Sequence, residues 1–113
     1  MNNKQYMKCK THWAKIYIAG PIEVAKQFLR LKAKDVGMCV TIEPTTYIYS
    51  GGEEVGYVIG LINYPRFPKS PEAIRTFALD LAAELKDATG QMSYTIMFPD
   101  QTEFFSDKEE GSA

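Results

Sequence analysis

Residues Lys15-Ile16-Tyr17-Ile18-Ala19 are β-branched, aromatic or small, and the run stops at Gly20. This pattern predicts a strand. Pro21 suits a first helical position because its missing N–H costs nothing there. Glu23 falls in the first turn, where the helix dipole favours a carboxylate. Val24, Ala25, Phe28 and Leu31 then share one face, opposite Lys26, Lys32 and Lys34, and Gly37 supplies a left-handed stop. Met38, Val40 and Ile42 alternate with Cys39, Thr41 and Glu43, the period-two signature of a half-buried strand. Pro44 in that run predicts an edge strand or a bend. Ser50-Gly51-Gly52 predicts a hairpin turn with positive φ. Val55 to Ile62 is apolar on both faces, as for a central strand packed above and below. Gly56 and Gly60 leave two gaps on one of those faces, which marks a close approach by a neighbouring group.

Ser70-Pro71-Glu72 is a helix start with an oxygen cap, a proline and then an acid. Ile74, Phe77, Ala78, Leu81, Leu85 and Ala88 form one stripe, ended by Gly90. Ser93 to Phe98 reads as the last strand, closed by Pro99. The order is β-α-β-β-α-β with short links, so the chain is read as an α+β single domain over residues 1–113. The arrangement is the ferredoxin-like split βαβ, an antiparallel sheet with two helices on one face. Right-handed crossovers place the first and third strands in the centre and the second and fourth at the edges. The ordered core is expected over about residues 13–105, between a frayed polar arm and a disordered acidic tail. The uncovered sheet face predicts a homo-oligomer, a dimer or larger.

Composition narrows the function without naming it. At 113 residues the chain holds one core, and 45% apolar with 24% charged residues is ordinary for a globular protein. No apolar run approaches the roughly 20 residues that a bilayer-spanning helix needs. The N-terminus does not read as a signal peptide. Cys9 and Cys39 are too few for a disulfide framework, which predicts a reduced, cytoplasmic protein. The net charge of −1 hides a head (residues 1–36) of +6 and a tail (residues 99–113) of −4. Nucleic acid is not an expected partner for a chain so balanced overall.

The link from Asn63 to Ser70 is the leading candidate site. Asn63 and Arg66 offer donors, Tyr64 and Phe67 offer flat apolar surface, and Pro65 and Pro68 limit the entropy lost on binding. An arginine beside aromatic rings suits a phosphate, a carboxylate or a nucleobase. The bland alternative is a rigid connector whose Arg66 pairs with Glu53, Glu54 or Glu72. Glu53 and Glu54 are neighbours on a strand and point to opposite faces, so they make a poor catalytic pair. Either one suits a ligand hydroxyl or an arginine across an interface. Gly20, at the entry to the first helix, is a candidate anion seat, weakened by Pro21 and Glu23. Trp13, Tyr17 and the Tyr47/Tyr49 pair read first as packing or interface residues, with Tyr49 also carried as a candidate ligand contact. Cys9 and His12 supply two metal ligands where a structural zinc needs four, so no metal and no cofactor is expected. No catalytic residue is assigned.

The Ile18-Ala19-Gly20-Pro21 opening, the Tyr47-x-Tyr49-Ser50-Gly51-Gly52-Glu53-Glu54-x-Gly56 segment and Gly60-Leu61-Ile62-Asn63-Tyr64-Pro65-Arg66-Phe67-Pro68 together resemble a group of small proteins encoded by tailed phages and prophages. The resemblance spans residues 15 to about 104 and implies a phage setting, with no activity attached. Ala19-Gly20-Pro21 after a strand is also similar to the first strand of nucleoside deoxyribosyltransferases, but the hairpin here departs from their parallel sheet. The sequence therefore favours a non-catalytic oligomer that binds a small phosphorylated or nucleotide-like ligand, such as a host defence signal sequestered by a phage. A protein-binding inhibitor of a host factor and a small enzyme acting on a nucleotide or phosphoester are the alternatives.

Overall fold

The computed structural model describes residues 4–107. It contains β1 (Trp13–Ala19), α1 (Ile22–Val36), β2 (Thr41–Tyr49), β3 (Gly52–Ile62), α2 (Pro71–Thr89), β4 (Ser93–Met97) and β5 (Thr102–Ser106). The strands form one sheet in the order β2-β3-β1-β4-β5, antiparallel throughout. The α+β, ferredoxin-like architecture is as the sequence predicts. Both helices pack on the face carrying Ile16, Ile18, Tyr57, Ile59 and Ile96, where Ala25 and Leu29 of α1 and Leu81 and Leu85 of α2 complete the core.

The helix signals act as expected. Ser70 caps α2 by accepting from the Ala73 N–H at 3.1 Å, and Pro71 opens the helix. Gly37 and Gly90 end the two helices in the left-handed region, at φ 39° and 72°. β2 is an edge strand and runs unbroken through Pro44, starting at Thr41 rather than Met38.

Three expectations need correction. The fourth strand is not an edge, because β5 pairs along it from Ser93↔Ser106 to Met97↔Thr102. In the Ser50-Gly51-Gly52 turn only Gly51 has positive φ, at 96°. The second face of β3 is not packed within the subunit: Tyr57, Ile59 and Leu61 are buried under the helices, while Val58 on the reverse face is only half-buried. The arm before β1 has no regular structure but is pinned at its end. The Lys10 and His12 carbonyls both accept hydrogen bonds from Asn63. The disorder expected beyond Phe105 does not hold for Ser106, which ends β5, or for Asp107, which pairs with Lys86; the tail from residue 108 onward lies outside the described residues. Among the described residues no helix is long and apolar enough to cross a membrane.

Candidate functional site

The sequence candidates fall in two places, at opposite ends of β3. Asn63, Tyr64, Arg66 and Phe67 follow its C-terminal end; Tyr49, Glu53 and Glu54 lie at its N-terminal end, beside Gly20. Eight residues of strand separate Glu54 from Ile62, roughly 25 Å. One small ligand cannot touch both groups within one subunit.

At the first end the side chains are largely committed. Asn63 is buried; its side-chain amide donates to the Lys10 carbonyl at 2.8 Å, and its Oδ1 accepts from the Lys69 N–H at 2.7 Å. Its own carbonyl accepts from the Cys9 thiol. Asn63 therefore ties the N-terminal arm to the loop, and each of its side-chain polar atoms already has a partner within the chain. Pro65 and Arg66 occupy a tight turn closed by the Phe67 N–H donating to the Tyr64 carbonyl at 2.9 Å. Arg66 is exposed at its tip, with its guanidinium 5.7 Å from the Phe67 ring, and forms no ion pair among the described residues. The alternative reading, in which Arg66 pairs with Glu53, Glu54 or Glu72, is not met. Tyr64 accepts from the Cys39 thiol, and Tyr64 and Phe67 line a groove.

The other end is better built for a ligand. Gly20 adopts φ 125°, a conformation that side chains rarely tolerate, and its N–H donates to the Val55 carbonyl at 3.0 Å. This kink swings the chain into α1, whose first residue lacks a side-chain cap. The α1 N-terminus and the β2–β3 hairpin enclose a pocket of about 340 Å³, lined by Gly20, Ile22, Pro44, Thr45, Val55 and Gly56 among others. That volume lies at the small end of ligand-sized cavities.

Across the sheet from this pocket, on the open face, Tyr47 and Glu54 are cross-strand partners. The Tyr47 ring lies directly over Gly56, where a Cβ would sit only 2.4 Å from its Cε2. Its hydroxyl donates toward the Tyr57 carbonyl at 2.9 Å and the Ile18 carbonyl at 3.3 Å, reaching the backbones of β3 and β1. Burial pushes the Tyr47 phenol up to about 12; the bond to Ile18 opposes the shift, while Tyr17, Tyr57 and the Glu54 carboxylate add to it. Tyr47 is therefore a neutral, fixed ring rather than a proton donor for chemistry. Glu54 is exposed beside it, and Glu53 points to the other face, opposite Ile48. Tyr49 is exposed and packs on Gly52. Aromatic surface plus a carboxylate favours a cationic or polarisable ligand group over a phosphate. Tyr47 is the residue that sequence reasoning did not place in the site. The signal for it was the Gly56 gap on the face that Tyr47 shares.

No protein-family model and no curated protein matches the chain. Two solved structures resemble it over nearly their whole length. One is a phage SAM lyase in complex with S-methyl-5'-thioadenosine, with TM-score 0.63 and 14% identity, covering 99% of this chain and 100% of that one. The other is a phage SAM lyase in the apo state, with TM-score 0.56 and 16% identity, covering 90% and 92%. At these identities the likeness establishes the fold.

Proposed function

We propose that this protein binds an S-adenosylmethionine-type ligand at the Gly20 end of the sheet and cleaves it as a lyase, in a phage or prophage setting. The observation that carries this reading is the end-to-end likeness to a phage SAM lyase holding S-methyl-5'-thioadenosine. Fold alone does not imply activity, so the chemistry of the pocket matters. A nucleoside-sized cavity sits at the uncapped start of α1, whose first N–H groups suit a carboxylate. The Tyr47 ring and the Glu54 carboxylate lie on the opposite, open face of the same hairpin, and that pair suits a sulfonium cation. The proposed ligand keeps the nucleoside of the sequence-based expectation and replaces its phosphate with a positively charged sulfur.

The missing catalytic constellation does not count against a lyase. A sulfonium leaves as a neutral thioether, so no general acid is needed. The electron pair of the bond between sulfur and the amino-acid carbon stays on sulfur and yields S-methyl-5'-thioadenosine. Without added water the carbon must be satisfied from within the substrate, by its own carboxylate closing a lactone. The protein has only to hold that carboxylate near the carbon, exclude water and stabilise the shifting charge.

Chromatography of S-adenosylmethionine incubations tests the reading. The wild type should release S-methyl-5'-thioadenosine, Glu54→Gln should lose about tenfold or more of that rate, and Arg66→Ala should match the wild type. No product together with no ligand-induced thermal shift would remove the proposal. A clear shift without product would leave sequestration, the second reading, which the committed Tyr47 hydroxyl favours. Copies of the chain covering the open sheet face belong to the same proposal.

A further inference from the structure

A second, larger cavity lies at the other end of the molecule. A groove of about 750 Å³ opens between the C-terminal turns of α1 and the first half of α2. Its floor is the underside of the core: Leu61, Ile74 and Leu81 are nearly fully buried, and Phe77 and Met38 pack against them. From Ala73 to Glu84 the groove follows α2 for roughly 16 Å. At the far end Lys32 and Glu84 pair at 2.6 Å, closing it with a neutral wall.

The near end is different. Lys69 and the Tyr64 hydroxyl, which accepts from the Cys39 thiol, line it, and both can donate a hydrogen bond to a ligand. Lys69 makes no ion pair among the described residues. Asp80, the groove's unpaired acid, lies nine residues along α2 from its start (roughly 14 Å), too far to neutralise Lys69. An apolar trough therefore ends at an exposed cation with no ion-pair partner among the described residues.

We propose that this groove is a separate binding site for a small amphiphilic anion, an acyl or aryl carboxylate, whose body lies on Leu61, Ile74 and Phe77 and whose head meets Lys69. The volume is that of a small-molecule cavity. A partner protein would need roughly 800 Å² of contact on each side, more than a trough of this length supplies. The site is about one strand length from the Gly20 pocket and does not depend on the function assigned there.

Decanoate, kept below its micelle concentration, is the probe, read by calorimetry and nitrogen-edited NMR on the whole protein. Saturable binding is expected, with shifts confined to residues such as Met38, Cys39 and Phe77. Ala73→Trp fills the groove from an exposed position and should weaken binding about tenfold or more. Val36→Trp does the same from α1 if the first variant folds poorly. Lys69→Glu should weaken decanoate about tenfold while leaving neutral decanol unchanged. Glu54→Gln should leave decanoate binding intact. Any of three results overturns the proposal: no saturation, shifts at the Gly20 end or on the open sheet face, or indifference to Lys69→Glu. Self-association abolished by Ala73→Trp would also overturn it, assigning the groove to a second copy.

Discussion

Gly56 and Gly60 occupy one face of β3, yet they differ in what an added methyl group would meet. At Gly56 a Cβ would lie 2.5 Å from the Ile18 carbonyl and 2.9 Å from the Ala19 Cα, as well as against the Tyr47 ring. Backbone cannot step aside, so Gly56→Ala should cost about 2 kcal/mol or more in urea unfolding. At Gly60 the sole close contact is the Thr41 hydroxyl at 2.5 Å, on an exposed edge residue that can rotate. Gly60→Ala should cost less than about 1 kcal/mol, and Thr41→Ala should remove the penalty. Tyr47 adds a pH signature. Its folded pKa of about 12 lies above the ordinary tyrosine value of 10.0, so its contribution is complete below pH ~10 and lost as the pH rises through ~12. Ultraviolet titration should show a late-ionising phenol that Tyr47→Phe removes, with a flatter loss of stability over the same range. The residue-scale misreadings in the sequence share one cause. Asn63 reads as a free donor because its partner, Lys10, is 53 residues away. Arg66 reads as a clamp because a stiff loop reveals nothing about what lies opposite it.

Helices and central strands were legible because their signals are local: a cap, a stripe and a left-handed glycine. β5 was missed for the opposite reason. Glu103-Phe104-Phe105 stands among acids and alternates poorly, and its stability comes from distant partners. Phe105 stacks on Tyr94 with centroids 5.3 Å apart, Arg75 pairs with Glu103, and the nearly buried Lys86 ammonium reaches Asp107 and Asp87 while lying over the Phe105 ring. Hydrogen bonds to Asp107 and then Asp87 raise the Lys86 pKa, so this clasp is fully present up to the ordinary lysine range and is lost as the pH rises beyond it. Lys86→Met removes the ammonium and keeps the stem. Hydrogen exchange should then accelerate at Phe104–Ser106 while the β1–β3 amides stay protected. Equal acceleration everywhere would show that β5 is part of the global unfolding unit and not a separately clasped strand.

Seen whole, the chain has one sheet face covered by helices and one bare. Trp13, Tyr17, Val58, Met97 and Phe104 share the bare face by strand register, and Phe104 is 70% exposed. Both edge strands also carry unpaired backbone groups, and Pro44 in β2 blunts one of them. An aromatic sheet face of this extent is costly to hydrate, and association of copies removes that cost. Tyr47 and Glu54 stand on the same bare face, so association would also dehydrate that pair and strengthen its electrostatics. Sedimentation equilibrium should therefore find a dimer or larger species at micromolar concentration. Phe104→Asp and Tyr17→Glu should drive it to monomers without unfolding, because neither side chain belongs to the buried core. If release of S-methyl-5'-thioadenosine disappears in the monomeric variants while the fold persists, the bare face completes the pocket. If a stable monomer retains full turnover, the pocket is sufficient within one chain and the exposed aromatic surface serves another purpose.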